Sequence, residues 1–202
     1  MQRSGVINVI NFVGEWMIKL VYANLLWMLF TLLGLGIFGI MPATVSLFTL
    51  IRKWITGNEE QTTFRIFWNT YRQEFIKANL FGIIFLTIGI FLRFEIIFFQ
   101  MSSSNLLFQI FHAIMICISL LYFITLLNFF PVYVHFKLKF FQYLKFSLLI
   151  GLSQLSSTLV IIFTTTILLC IYWYISGLIP LLATSLLALN IMWFSHQTFK
   201  KL

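Results

Sequence analysis

Long apolar runs alternate with short polar or glycine-bearing stretches along the chain. From Ile18 to about Gly36 nearly every side chain is apolar. Such a run is long enough to cross a hydrocarbon core of roughly 30 Å, which takes about 20 helical residues. Further runs over about 78–99, 105–130, 146–171 and 174–195 predict more crossings. Ahead of the first, residues 1–17 place Val6, Ile7, Val9, Ile10, Val13, Trp16 and Met17 roughly on one helical face. Arg3, Asn8, Asn11 and Glu15 lie elsewhere, as in a helix lying at an interface.

Gly34, Gly36, Gly39 and Pro42 interrupt the first apolar region. Pro42 suits the first turn of a new helix, where its missing N–H costs nothing. The span 18–55 therefore predicts a tight hairpin of two short helices, with one crossing and an interfacial helix as the alternative. Residues 57–77 are the most polar. Gly57-Asn58 marks a turn, and Glu59 and Glu60 suit a helix start. Phe64, Phe67, Trp68, Tyr71 and Phe75 then recur at helical spacing among Arg65, Arg72 and Lys77, which predicts a basic amphipathic interfacial helix. Residues 131–145 form a second basic segment with His135, Lys137, Lys139 and Lys145, and residues 102–105 read as a loop. Tyr172, Trp173, Tyr174 and Trp193 look like interfacial belts.

The expected fold is all-α: one polytopic transmembrane helical bundle over residues 1–202. Six crossings are preferred and five are the alternative. The preference comes from cationic residues, which mark the cytoplasmic side. With six crossings, Arg93 is the one Lys or Arg of the apolar-run pattern placed outside, and both termini lie inside. With five, Arg3 and Lys19 move outside.

Composition sharpens this picture. The chain is 61% hydrophobic and only 9% charged, whereas a soluble domain carries about 25% charged residues. Lipid must be its solvent, and disorder is excluded. The net charge of +8 sits at the ends of apolar runs, where it meets anionic headgroups, so no nucleic-acid partner is expected. Cys117 and Cys170 lie within apolar runs and read as packing residues. The first apolar run lacks a small-residue cleavage site, so the N-terminal segment is expected to be retained. The 25 phenylalanines are spread along every crossing, as filler facing acyl chains would be.

Little in the sequence could carry chemistry. No Gly-rich loop precedes a Lys-Ser or Lys-Thr, and no His-Glu-x-x-His occurs. His112, His135 and His196 lack partners at ligand spacing, so no metal or cofactor is expected. Glu15, Glu59, Glu60, Glu74 and Glu95 all avoid the centres of crossings, which argues against a complete proton-driven carrier. Arg93 and Glu95 read as snorkelling residues. Asn24, Asn128 and Asn190 fall within three crossings, and Ser153, Gln154, Ser156, Ser157 and Thr158 form a polar patch. Asn128, Ser153, Gln154, Ser157 and Asn190 are candidate intramembrane contacts, chiefly as interhelical hydrogen bonds. The segments 64–82 and 136–151 echo each other loosely, too loosely for a repeat.

Several rarer residues at fixed spacing carry a resemblance. Glu15-Trp16 with Lys19, Asn24 with Trp27, Gly34 to Gly39, Pro42-Ala43, Arg52-Lys53-Trp54 with Gly57, and Phe64 to Asn79-Leu80 resemble the YesL family, as far as about residue 82. The resemblance implies a bacterial cell-membrane protein of unassigned biochemical function, typically encoded beside carbohydrate ABC importers. No catalytic residue carries over. Glu15, Trp16, Lys19, Asn24, Trp27, Gly39, Pro42, Arg52, Lys53 and Trp54 are the motif positions. Their readings are an interfacial ion pair, a helix contact, a hairpin turn and a cytoplasmic anchor. The expectation is a non-enzymatic accessory protein of carbohydrate uptake, with permease or ATPase subunits of an ABC importer as partners. A stand-alone channel or carrier is the alternative, and a membrane sensor a weaker one.

Overall fold

The computed structural model describes residues 2–58, 61–100, 106–175, 177 and 179–200. The described residues form helices joined by short connections. In chain order they are α1 (Gln2–Leu33), α2 (Ile37–Thr56), α3 (Thr63–Gln100), α4 (Leu106–His135), α5 (Phe140–Ser153), α6 (Leu155–Tyr174) and α7 (Ile179–Phe199). Asn11–Leu33, Thr63–Glu95, Gln109–His135 and Leu155–Tyr174 are each long and apolar enough to cross a membrane. The protein is a polytopic helical membrane protein.

The segment boundaries differ from the sequence pattern in instructive ways. From Gln2 on, the segment read as interfacial and the first crossing form one helix, α1. Likewise residues 63–77 of the 57–77 segment and the crossing 78–99 are joined in α3. Polarity changes along both helices, but neither contains a proline. The aromatic face at the start of α3 is buried in protein: Phe67 and Tyr71 pack around Phe30 of α1, and the Tyr71 hydroxyl donates to the Phe30 carbonyl at 3.0 Å. Glu59, Glu60 and the 102–105 loop lie outside the described residues.

The α1–α2 hairpin turns at Leu35 (φ 57°) and Gly36 (φ 75°), both at positive φ. The Gly36 N–H returns to the Thr31 carbonyl at 2.9 Å, as C-terminal helix caps do. The two helices then approach closely. A Cβ on Gly39 would lie 2.3 Å from the Thr31 carbonyl oxygen. Pro42 is not in the first turn, as its position after the glycines predicts, but inside α2. The helix restarts at Ile37 because glycine lets the chain reverse at once, so the proline falls in the second turn, where it removes one ladder bond. Its carbonyl accepts both from the helix and from the Ser46 hydroxyl at 2.8 Å.

Helix α2 is enclosed by α1, α3, α4 and α7. Buried side chains on one side of it, Leu47, Leu50 and Ile51, meet Phe30, Phe67 and Met192. On the other, Val45 meets Phe81, Phe85, Phe129 and Val132. The run 146–171 is broken at Gln154 (φ −118°, ψ 52°), which ends α5 and starts α6. There α5 presses on α4: a Cβ on Gly151 would meet Ile124 at 2.4 Å and Asn128 at 2.9 Å. The Thr158 hydroxyl donates across the break to the Gly151 carbonyl at 3.1 Å. A side chain inserted into the ladder is an ordinary cause of a kink.

Candidate functional site: a polar recess at the basic end

At one end of the bundle the last turns of α2, α4 and α7 gather with parts of α1, α3 and α5. Trp16 of α1 meets Trp54 of α2 edge-on, with centroids 6.2 Å apart. The Lys19 ammonium lies 6.0 Å from the Trp16 ring and 5.9 Å from the Trp54 ring. Three motif residues thus form one cation–aromatic contact between α1 and α2. Glu15 is exposed, and Lys53 sits half-buried in the last turn of α2.

Arg52 has a specific task here. Its Nη1 donates to the Val134 carbonyl at 2.6 Å. Val134 lies in the last turn of α4, where carbonyls lose their helical partners. The amide four residues on, Leu138, donates instead to the Tyr143 hydroxyl at 3.2 Å. Tyr143 in turn donates to the Phe136 carbonyl at 3.3 Å. The Lys139 amide donates to the Gln142 side chain at 3.1 Å, which opens α5. Side chains from α2 and α5 therefore hold the connection between α4 and α5, and the guanidinium also opposes the negative end of the α4 dipole.

Beside this clasp lies a recess of about 320 Å³. Thr49, Arg52, Gln73, Glu74, Lys137 and Tyr143 supply most of its polar wall. Glu74 accepts a hydrogen bond from Tyr133, and the Lys77 ammonium lies over the rings of Tyr133 (5.0 Å) and Tyr143 (4.7 Å). Arg52 Nε and His135 Nδ1 are buried without a hydrogen-bond partner. His135 stands 6.0 Å from His196, and Phe199 packs on it at 4.6 Å. Val45, at the apolar side of the recess, belongs to the core formed with Phe81 and Phe129. Among the described residues no three His, Cys, Asp or Glu side chains gather as a metal site requires.

The other motif and intramembrane residues lie away from the recess. Asn24 Oδ1 accepts from the Thr184 hydroxyl and from the Ser185 amide (3.3 Å), tying α1 to α7. Trp27 donates to Thr44 at 3.1 Å, tying α1 to α2. Asn190 donates to Thr164 and Thr165 at 2.9 and 3.2 Å, and Ser157 meets Thr198 at 2.6 Å, so α6 is tied to α7. Asn128 donates to the Ile124 carbonyl of its own helix at 2.9 Å. Ser153 does the same to Ile150 at 3.2 Å, and Gln154 is the kink residue.

The sequence pattern marked Lys77 only as a cation of the 57–77 stretch and Glu74 only as a carboxylate away from crossing centres, and it did not mark Tyr133 or Tyr143. Glu74 and Lys77 are spaced i, i+3 on a basic amphipathic stretch, a signal for a local ion pair. Nothing distinguishes the two tyrosines from the other aromatics.

With this geometry in view, residues 20–96 match the family model described as "Protein of unknown function, DUF624". The uncharacterized protein YteU of Bacillus subtilis (strain 168) is 37% identical over 174 residues, covering 86% of this chain and 78% of the relative. The chain belongs to the DUF624 family. The uncharacterized proteins YesV and YesL of the same organism are 33% and 31% identical, over 93% and 98% of this chain and 89% and 92% of their own. The likeness to YesL therefore runs along nearly the whole DUF624 chain, well past residue 82. No solved structure matches it.

Proposed function

We propose that this DUF624 protein is a non-enzymatic accessory component of carbohydrate uptake in the bacterial cell membrane. It would work beside the permease or ATPase subunits of an ABC importer. Six passes with both termini in the cytoplasm go with this reading: α2 and α7, with 20 and 21 residues, cross in addition to α1, α3 and α4, and the kinked α5–α6 pair makes one pass. The carrying observation is the gathering of Lys19, Arg52, Lys53, Lys137 and a polar recess at one end. The polar side chains deeper in the bundle bond neighbouring helices instead.

That second feature favours the accessory reading over a channel or carrier. A pathway needs polar groups facing a cavity, yet Asn24, Asn190 and Ser157 are each used in an interhelical contact. A basic end with Lys137 exposed suits an acidic partner surface, and such charge speeds encounter. The test is affinity purification of the tagged protein in mild detergent, together with sugar uptake in a deletion strain. Recovery of importer subunits and slowed uptake are expected. Isolation without them, with normal uptake, would overturn the proposal.

A further inference from the structure

We propose that the recess between α2, α3 and the α4–α5 connection binds an oxyanion: a phosphate or carboxylate group entering from the basic end. This stands on the recess alone and does not depend on the uptake reading.

Charge is the first support. Arg52, Lys77 and Lys137 surround or adjoin the recess against one carboxylate, Glu74. Glu74 already accepts the Tyr133 hydroxyl, and Lys77 lies over the same ring. The charges of Glu74 and Lys77 therefore oppose each other within one small group. Arg52 and Lys137 remain as surplus positive charge on the wall.

The second support is the state of the guanidinium. Arginine presents five N–H donors in a rigid plane. One nitrogen of Arg52, Nη1, is committed to Val134, which fixes the orientation of the plane. Its Nε is buried and has no partner. The edge formed by Nε and the remaining terminal nitrogen is the one that takes two oxygens of a carboxylate or phosphate side by side. Arg52 lines the recess, so an oxyanion seated there would satisfy this donor once the wall parts enough to admit it.

Size and surroundings narrow the ligand. A volume of about 320 Å³ lies at the small end of ligand pockets. Thr49, Thr70 and Gln73 add neutral polar groups to the wall, and Gln73 and Lys137 are exposed at its mouth. These suit a small hydroxyl-bearing molecule with one anionic group. The same chemistry is offered by a phospholipid headgroup, since the recess sits where membrane helices end.

The experiment uses the full chain purified in neutral detergent. Its melting temperature is followed as sodium phosphate is added against sodium chloride of equal ionic strength. In a second arm, short-chain phosphatidylglycerol is added against phosphatidylcholine. The variants are Lys137→Gln, which removes an exposed charge, and Arg52→Lys, which keeps the charge but not the fork. Lys145→Gln, exposed on α5, is the control. Stabilisation by phosphate, with half-saturation raised about tenfold in Lys137→Gln and Arg52→Lys but not in the control, supports the site and a soluble ligand. The same pattern with phosphatidylglycerol alone supports a headgroup. If neither anion stabilises the protein, or Lys137→Gln responds as the wild type does, the proposal is overturned. Lys137→Gln decides the matter even if Arg52→Lys misfolds.

Discussion

Helices α2 and α6 have the same length, 20 residues, and opposite surroundings. Ten residues of α2, including Gly39, Pro42, Phe48 and Trp54, are buried, and four helices pack against it. On α6 only Thr158, Ile161 and Tyr172 are buried, and the helix touches α5 and α7. Lipid accepts any apolar side chain of suitable length, so α6 constrains hydropathy and little else. A protein neighbour accepts only certain shapes, so α2 constrains identity at position after position. Close packing of interiors is the physical reason. The same contrast separates the two ends of α2. Its start is a glycine-lined contact with α1, and its end carries the charges that hold α4.

Substitutions test how deep this difference goes. The largest effect is expected at Phe30, which α1 buries among the rings of Phe64, Phe67, Trp68 and Tyr71, 5.0–6.2 Å away. Phe30→Ala should cost about 3–5 kcal/mol in a denaturant titration in micelles. A loss below about 1 kcal/mol would mean that the aromatic cluster is loosely packed. Next comes Gly39→Ala. The added Cβ would meet backbone that cannot rotate away, 2.3 Å from the Thr31 carbonyl oxygen, and the same titration should show about 1–3 kcal/mol of destabilisation. Asn24→Ala removes the acceptor shared by Thr184 and Ser185. Interhelical hydrogen bonds in membranes are modest, so about 1 kcal/mol is expected from thermal unfolding compared with the wild type. The smallest effect belongs to α6. Phe163 is 68% exposed, and Phe163→Ala should change stability by no more than about 0.5 kcal/mol. A large loss there would show that a partner, not lipid, covers α6.

The contrast also explains what the sequence could reveal. The membrane class follows from apolar runs and scarce charge, because lipid imposes both. The resemblance was readable in α1, α2 and the start of α3, where Trp16, Asn24, Trp27, Arg52 and Trp54 each make a particular contact. Past residue 82 the chain read only as hydropathy, although the relatives match there too. The kink at Gln154 was illegible, because it depends on how closely Gly151 meets α4. Pro42 was placed one turn early, because the glycine reversal was not visible as a helix start at Ile37. Arg52 carried the right signal for an anchor at the basic end. Its actual partner, a carbonyl 82 positions away, comes only from the fold. Tyr133 and Tyr143 were hidden among aromatics, since phenylalanine and tyrosine differ on paper by one hydroxyl, and that hydroxyl matters only beside Glu74 or a free amide.

With six passes as proposed, the recess end faces the cytosol and the connection between α6 and α7 faces out. Gly177 lies in that connection with open space around it, and Lys137 is exposed at the recess mouth. Single cysteines placed by Gly177→Cys and Lys137→Cys, with Cys117 and Cys170 changed to serine, can be probed with a membrane-impermeant maleimide. Labelling of the first in intact cells, and of the second only after permeabilisation, is the predicted result. Labelling of the Lys137→Cys protein in intact cells would contradict it.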